Sequence, residues 1–148
     1  MKIYTDETTS IDVQVSEGKK WYTYVLPKDK GLYQIVGDSV KNVVLKANIT
    51  TSGETIIPYS TVEASFKGSD TSKITNMYSM FDSYSGLTSL DLSGWDTSNV
   101  TSMYNMFRGC TSLTSIRMVG CEKPTIDKIK AQLTADGISL DNVKFITK

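Results

Sequence analysis

Between positions 62 and 122 the apolar residues recur with a period of 26. The run Ile74-Thr75-Asn76-Met77-Tyr78-Ser79-Met80-Phe81 returns without a gap as Val100-Thr101-Ser102-Met103-Tyr104-Asn105-Met106-Phe107. Leu87, Leu90 and Leu92 return as Leu113, Ile116 and Met118, and Gly94 as Gly120. A weaker copy precedes them. Ala64 and Phe66 take the places of Leu90 and Leu92, and Gly68, Asp70, Thr71 and Ser72 those of Gly94, Asp96, Thr97 and Ser98. Agreement over so many positions marks stacked units, since one such unit cannot bury its apolar face alone. Within a unit, the spacing Leu87-x-x-Leu90-x-Leu92 predicts a short strand over 89–92. Leu90 and Leu92 point inward and Ser89, Asp91 and Ser93 outward. Gly94 permits a turn, and Asp96-Thr97-Ser98 offers N-caps. Val100, Met103, Met106 and Phe107 then read as one face of a short helix.

The flanks follow other periods. Residues 1–61 alternate: Ile11, Val13 and Val15 with Asp12, Gln14 and Ser16, then Trp21, Thr23 and Val25 with Tyr22, Tyr24 and Leu26. Segments 32–36 and 43–49 are further strand candidates, and 17–20, 28–31 and 51–54 read as hairpin turns. An antiparallel β-module is therefore expected over 1–61, sharing a core with the first repeat. Over 123–148, Pro124 suits the first turn of a helix, with Ile126, Ile129 and Leu133 on one face and Gly137 past its end. Val143, Phe145 and Ile146 suit a last strand. The whole predicts a mainly β protein with short helices (α+β): an antiparallel β-module at 1–61, a short repeat solenoid at 62–122 and a C-terminal helix-strand cap at 123–148.

Composition narrows the function classes. Sixteen basic and sixteen acidic residues cancel, which supplies no electrostatic reason to bind nucleic acid. The absence of histidine excludes Ser–His–Asp and Cys–His nucleophiles and histidine-based metal sites. Two cysteines make neither a four-cysteine zinc site nor a disulfide framework. No apolar run approaches the roughly 20 residues that cross a bilayer, so no membrane insertion is expected. The segment Met1–Asp6 lacks the apolar stretch of a signal peptide.

Candidate chemistry has structural readings. Met77/Met80 and Met103/Met106 could ligate a soft metal, but thioethers repeated in register beside Phe81 and Phe107 suit packing. Cys110 and Cys121 stand where the preceding unit has Tyr84 and Trp95, so buried free thiols are expected over a disulfide. Asp70 and Asp96 suit caps, and Asp91 suits an ion pair with Arg117 one strand over. With Asp82, these carboxylates offer no evident acid–base pair. The sequons Asn48-Ile49-Thr50 and Asn99-Val100-Thr101 are short matches without an assigned role. The remaining candidate is a surface. The outward residues Glu63, Ser65, Lys67, Ser89, Asp91, Ser93, Ser115, Arg117 and Val119 would form a ligand-facing column. Trp21, Tyr22 and Tyr24 would form an assembly face.

The words Leu90-Asp91-Leu92-Ser93-Gly94-Trp95-Asp96-Thr97-Ser98-Asn99-Val100-Thr101 and Met103-Tyr104-Asn105-Met106-Phe107-Arg108-Gly109-Cys110 resemble the BspA-like leucine-rich repeats of bacterial surface proteins. The resemblance covers about residues 62–122. It implies a surface-displayed, adhesive protein. The segment Thr125–Lys130 also resembles tails that follow such repeats in gut bacterial and phage proteins. The expectation is a non-enzymatic structural or interaction protein without cofactor, placed on a virion as a head-decoration or fibre component of a phage of gut bacteria. A bacterial cell-surface or secreted adhesion module is the alternative. Expected partners are proteins of the assembly, with glycans and self-association next; nucleic acid is not among them.

Overall fold

A computed structural model describes residues 61–67 and 69–148 fully, and the backbone of five short strands between residues 2 and 46. These five are β1 (Lys2–Tyr4), β2 (Ser10–Asp12), β3 (Tyr22–Val25), β4 (Gln34–Val36) and β5 (Val43–Lys46). Then come β6 (Thr61–Ser65), β7 (Ser89–Asp91), β8 (Ser115–Arg117), α1 (Lys123–Ala135) and β9 (Lys144–Ile146).

Among the described residues β6, β7, β8 and β9 lie side by side in one parallel sheet, extended by β5 and β3 on the other side of β6. The register follows the repeat: Glu63 pairs with Ser89 and Ser89 with Ser115, and Ala64, Leu90 and Ile116 align likewise. The steps from β6 to β7 and from β7 to β8 are therefore each one 26-residue unit. Parallel neighbours need a crossover connection, and here the rest of each unit provides it.

The amino-terminal expectation is corrected. β1 does pair antiparallel with β2 and β4. However, β3 and β5 pair in parallel, and β5 in turn runs parallel to β6. Three expected hairpins are thereby excluded. β2 and β3 fall in different sheets, as do β3 and β4, while β5 and β6 are parallel. The turn residues proposed for them, and Trp21, lie outside the described residues. Alternation reports that one face of a strand is buried; it does not report strand direction.

The crossover also differs from expectation. Residues 96–110 form no helix; turns at 98–99 and 104–109 flank an extended stretch in which Ser102 bridges Asn76 in parallel. Ser79 and Ser83 have positive φ (53° and 69°), and so do Asn105 and Gly109 (58° and 77°) at the equivalent positions of the next unit. A left-handed residue at each of these places interrupts any right-handed helix. The amides turn outward instead to the neighbouring unit. Met77, Ser79, Phe81 and Ser83 N–H groups donate to the carbonyls of Ser102, Tyr104, Met106 and Arg108 at 2.8, 3.0, 2.9 and 2.6 Å. The i, i+3, i+6, i+7 spacing was thus inward-facing turn positions. Adjacent units are hydrogen-bonded on both sides, by the sheet and by this second ladder.

Between the two ladders lies the core. Phe66, Leu90, Leu92, Ile116 and Met118 come from the strand side, and Met77, Met80, Phe81, Met106 and Phe107 from the turns. Phe81 stacks on Phe107 with ring centroids 5.9 Å apart, and Phe66 lies 5.7 Å from Phe81. All four paired methionines are buried, which places them in packing. Trp95 is buried with its indole N–H donating to Phe66 O at 3.2 Å.

Past β8, Ile129 and Leu133 of α1 are buried in the same core, with Pro124 in its first turn and Gly137 at positive φ beyond its end. The helix meets backbone groups of the second unit that have no third unit to bond. Phe107 N–H, equivalent to Phe81 N–H, donates to Asp136 Oδ2 at 2.9 Å. Thr97 N–H donates to Thr125 Oγ1 at 3.1 Å, and Lys128 Nζ donates to Thr97 O and Val100 O at 2.8 and 3.2 Å. β9 completes the sheet, with Lys144 N–H donating to Thr114 O at 2.8 Å. Buried backbone groups need partners, and side chains of this segment supply them. Among the described residues no helix is long and apolar enough to cross a membrane.

Candidate functional surface

The column predicted on the sheet is mostly where the alternation put it. Glu63, Lys67 and Arg117 are exposed, and Ser65, Ser89, Asp91, Ser115 and Val119 are half-buried. Ser93 departs from it. It is buried, and its hydroxyl accepts from Val119 N–H at 3.1 Å. Asp91 and Arg117 are register partners, yet no ion pair joins them. Asp91 Oδ1 instead accepts from Ser93 N–H at 3.0 Å, because the chain leaves the strand there and turns that amide back on the carboxylate. The outer face is small and polar. Of the proposed assembly face, Tyr22 and Tyr24 lie in β3, whose side chains are outside the described residues.

The other carboxylates serve the backbone. Asp70 and Asp96 begin no helix. Each accepts from the amide two residues on, Ser72 N–H at 3.1 Å and Ser98 N–H at 2.8 Å. Bonds from the Ser72 and Ser98 hydroxyls and amides hold both carboxyls below the ordinary carboxylate range.

Asp82 is the one predicted candidate drawn into a cluster. Its side chain is 12% exposed, and it accepts from Arg108 Nε at 3.1 Å and Arg108 Nη2 at 2.7 Å. Ser83 Oγ donates to it at 2.9 Å and Ser79 Oγ at 3.4 Å. Burial pushes its pKa up, but the bonds from Arg108 and the two serines outweigh that and the net shift is downward. Arg108 occupies the repeat position of Asp82. The pair was findable by laying one unit over the next, where acid meets base 26 residues on.

The same overlay explains the cysteines. Cys110 Sγ donates to Phe81 O at 3.0 Å, and Cys121 Sγ to Leu92 O at 3.3 Å. Cys121 thus repeats the Trp95 bond to Phe66 O, with the acceptor again one unit back. Both thiols are free. Burial pushes the Cys110 thiol up to about 12 and raises that of Cys121. Among the described residues no group of three or more Cys, Asp or Glu side chains could hold a metal ion.

Sequence reasoning missed one surface. Tyr78 and Tyr104, equivalent residues of the two units, stack outside the turn ladder with centroids 5.7 Å apart and planes 17° from parallel. They are 36% and 64% exposed. The signal was present in the repeat, since each tyrosine interrupts the inward run Met77/Met80 or Met103/Met106.

A stack of 26-residue units bonded through parallel strands and a second turn ladder defines a class: repeat proteins whose neighbours in sequence are neighbours in space. Within it, residues 48–120, just under half of the chain, match the model of a family described as Mycoplasma protein of unknown function, DUF285. No curated protein and no solved structure matches the chain.

Proposed function

We propose that the chain is a non-enzymatic display protein: a short BspA-like leucine-rich-repeat solenoid closed by its C-terminal helix and strand and attached through its amino-terminal strands. The observation that carries the reading is the use to which the polar residues are put. Asp70, Asp82, Asp91, Asp96 and Asp136 all bond the protein's own backbone or side chains. What the units leave open is surface. The reading favoured is a virion component of a phage of gut bacteria, in a head-decoration or fibre position. It is supported by the bacterial-surface style of the repeats and by the likeness of Thr125–Lys130 to tails of gut bacterial and phage proteins. A cell-surface adhesion module is the second reading, supported by the match to a family named from Mycoplasma, a cellular source.

Quantitative peptide mass spectrometry on purified particles and on host membrane and secreted fractions separates them. Peptides spanning Trp95 at fixed stoichiometry in virions are the expected result. Peptides confined to the membrane or secreted fraction would replace the virion reading with adhesion. A hydrolytic activity lost on mutation of a carboxylate would overturn both.

A further inference from the structure

We infer that the Tyr78–Tyr104 stack is a binding platform for neutral saccharide. This inference rests on the display reading above and moves its binding site from the strand face to the turn ladder. Three observations meet there. First, Tyr104 ends the stack. The segment after β8 bonds the free groups at Phe107, Thr97 and Val100, yet Tyr104 remains 64% exposed. An aromatic ring open to solvent offers a flat apolar surface with a polar hydroxyl at its tip. Sugar rings present C–H faces that match such a surface.

Second, the flanking groups are hydrogen-bonding and electrically balanced. Arg108 is near enough for both phenols to add to the upward shift that Asp82 mainly causes in its pKa. Its guanidinium carries five N–H donors, of which Asp82 takes two. Because Asp82 pairs with it, Arg108 adds no net charge beside the rings. Asn76 and Thr101 are exposed beside the ladder and Asn105 is half-buried; Asn76 Oδ1 accepts from Tyr78 N–H and Thr101 Oγ1 donates to Thr75 O, which leaves the Asn76 amide nitrogen as donor and the Thr101 hydroxyl oxygen as acceptor.

Third, the apolar area around the stack is small for a protein partner among the described residues. Stable protein interfaces bury about 800 Å² on each side around apolar anchors. Among the described residues the exposed large hydrophobics are Tyr78, Tyr104 and Leu140 alone. Two stacked rings amid neutral polar groups suit a sugar unit or two. Repetition of such weak contacts on many displayed copies would supply avidity.

The test is affinity electrophoresis of the full chain through gels holding yeast mannan, xylan or mixed-linkage β-glucan, with heparin as the anionic control. Saturation-transfer NMR on the wild-type protein with mannohexaose, xylohexaose and cellohexaose accompanies it. The expected result is retardation by at least one neutral polysaccharide, weakened tenfold or more by Tyr104→Ala, less by Tyr78→Ala, and largely kept by Tyr104→Phe. Saturation of the tyrosine ring protons should reach the matching oligosaccharide, a readout that needs no variant. Absence of binding to every neutral probe overturns the inference. So does binding to heparin alone, binding to an immobilised extracellular-matrix protein alone, or retardation unchanged in Tyr104→Ala. None of these outcomes touches the particle and membrane fractionation, so the display reading stands or falls separately.

Discussion

Replacing Asp82 by Asn and Arg108 by Met, singly and together, measures what one repeat unit contributes to holding the next. The Asp82 side chain is 12% exposed and the Arg108 side chain 60%. The pair is thus neither a free surface ion pair, worth about 0–1 kcal/mol, nor a fully buried one. Its two charge-assisted bonds at 3.1 and 2.7 Å place it at the upper end of the exposed range or above. Asp82→Asn removes the acceptor of both bonds from a nearly buried site, at a cost of about 1–2 kcal/mol. For a chain of this size that lowers Tm by about 3–6 °C. Arg108→Met also destabilises, because it leaves the carboxylate with only the two serine hydroxyls. The double variant costs less than the sum, with a coupling of about 1 kcal/mol. The assay is urea unfolding followed by circular dichroism at pH 7 and again in acid. Because the folded pKa of Asp82 is lowered, the unfolded chain takes up the proton first as pH falls. The pair's contribution is therefore complete above about pH 4, the unfolded value. It is lost as pH falls through the lower folded value. A coupling under about 0.3 kcal/mol at pH 7, or one that persists unchanged at pH 2, would refute the assignment of inter-unit cohesion to this pair.

Other expectations follow from the same geometry. Cys110, its thiol pushed up to about 12, should react with a disulfide reagent at pH 8 about a thousandfold more slowly than a free thiol, and in urea both cysteines should react freely. The unfolded thiol ionises near pH 8.5, so this group's share of stability is present below that value and declines as pH rises toward 12; an alkaline urea series on wild type and Cys110→Ser checks the slope. Gly109→Ala should destabilise by about 2 kcal/mol or more, since it puts a Cβ at positive φ and 3.1 Å from Ser83 Cα, whereas Gly94→Ala, at φ 80° in open space, should cost about 1 kcal/mol; thermal melts rank the two. Asp136→Ala should cost about 1–2 kcal/mol and speed hydrogen exchange at the Phe107 amide, while Asp127→Ala, at an exposed pair with Lys123, should change stability by under about 0.5 kcal/mol.

The parts legible in the sequence were those where side-chain pattern and backbone agree. The strands at Ser89–Asp91 and Ser115–Arg117, the helix from Lys123 to Ala135 and the last strand at Lys144–Ile146 all fall within the predicted segments. The turn ladder was not legible, because its inward positions imitate helical spacing. What distinguishes them is the left-handed backbone at Ser79 and Asn105, and serine and asparagine are ordinary residues in a helix prediction. Ser83 and Gly109 share the second such place, and only the second unit displays the glycine that betrays it. Strand direction in the amino-terminal part was hidden for a different reason. A turn-like tetrad between two apolar runs suggests a hairpin, but β3 and β4 go to different sheets, and pairing partners are a tertiary property. Of the predicted surface, burial of Ser93 was hidden because the strand ends at Asp91, two residues before the alternation stops.

The two missed features, the turn ladder and the tyrosine stack, have one physical origin. A unit that closes on itself with left-handed turns exposes amides toward its neighbour at alternate positions, and residues between those amides must face either core or solvent. Met80 takes the core, beside the side chains of the donors Met77 and Phe81. Tyr78 is left outside and Tyr104 follows it one unit on, so stacking is enforced by the hydrogen-bond register. The final unit then poses the problem every stack has, that of amides and carbonyls with no successor. Here it is met by side chains: a carboxylate for Phe107, a hydroxyl for Thr97, an ammonium for Thr97 and Val100. Side chains reach single atoms, whereas a further unit would cover whole residues. Closure of this kind bonds chosen groups, the Phe107 and Thr97 amides and the Thr97 and Val100 carbonyls, and leaves the last ring of the stack open. An open Tyr104 is consequently a product of how the stack ends, and lengthening the array by one unit should lower its exposure from 64% toward the 36% of Tyr78 and hand the most exposed position to the added unit's equivalent residue.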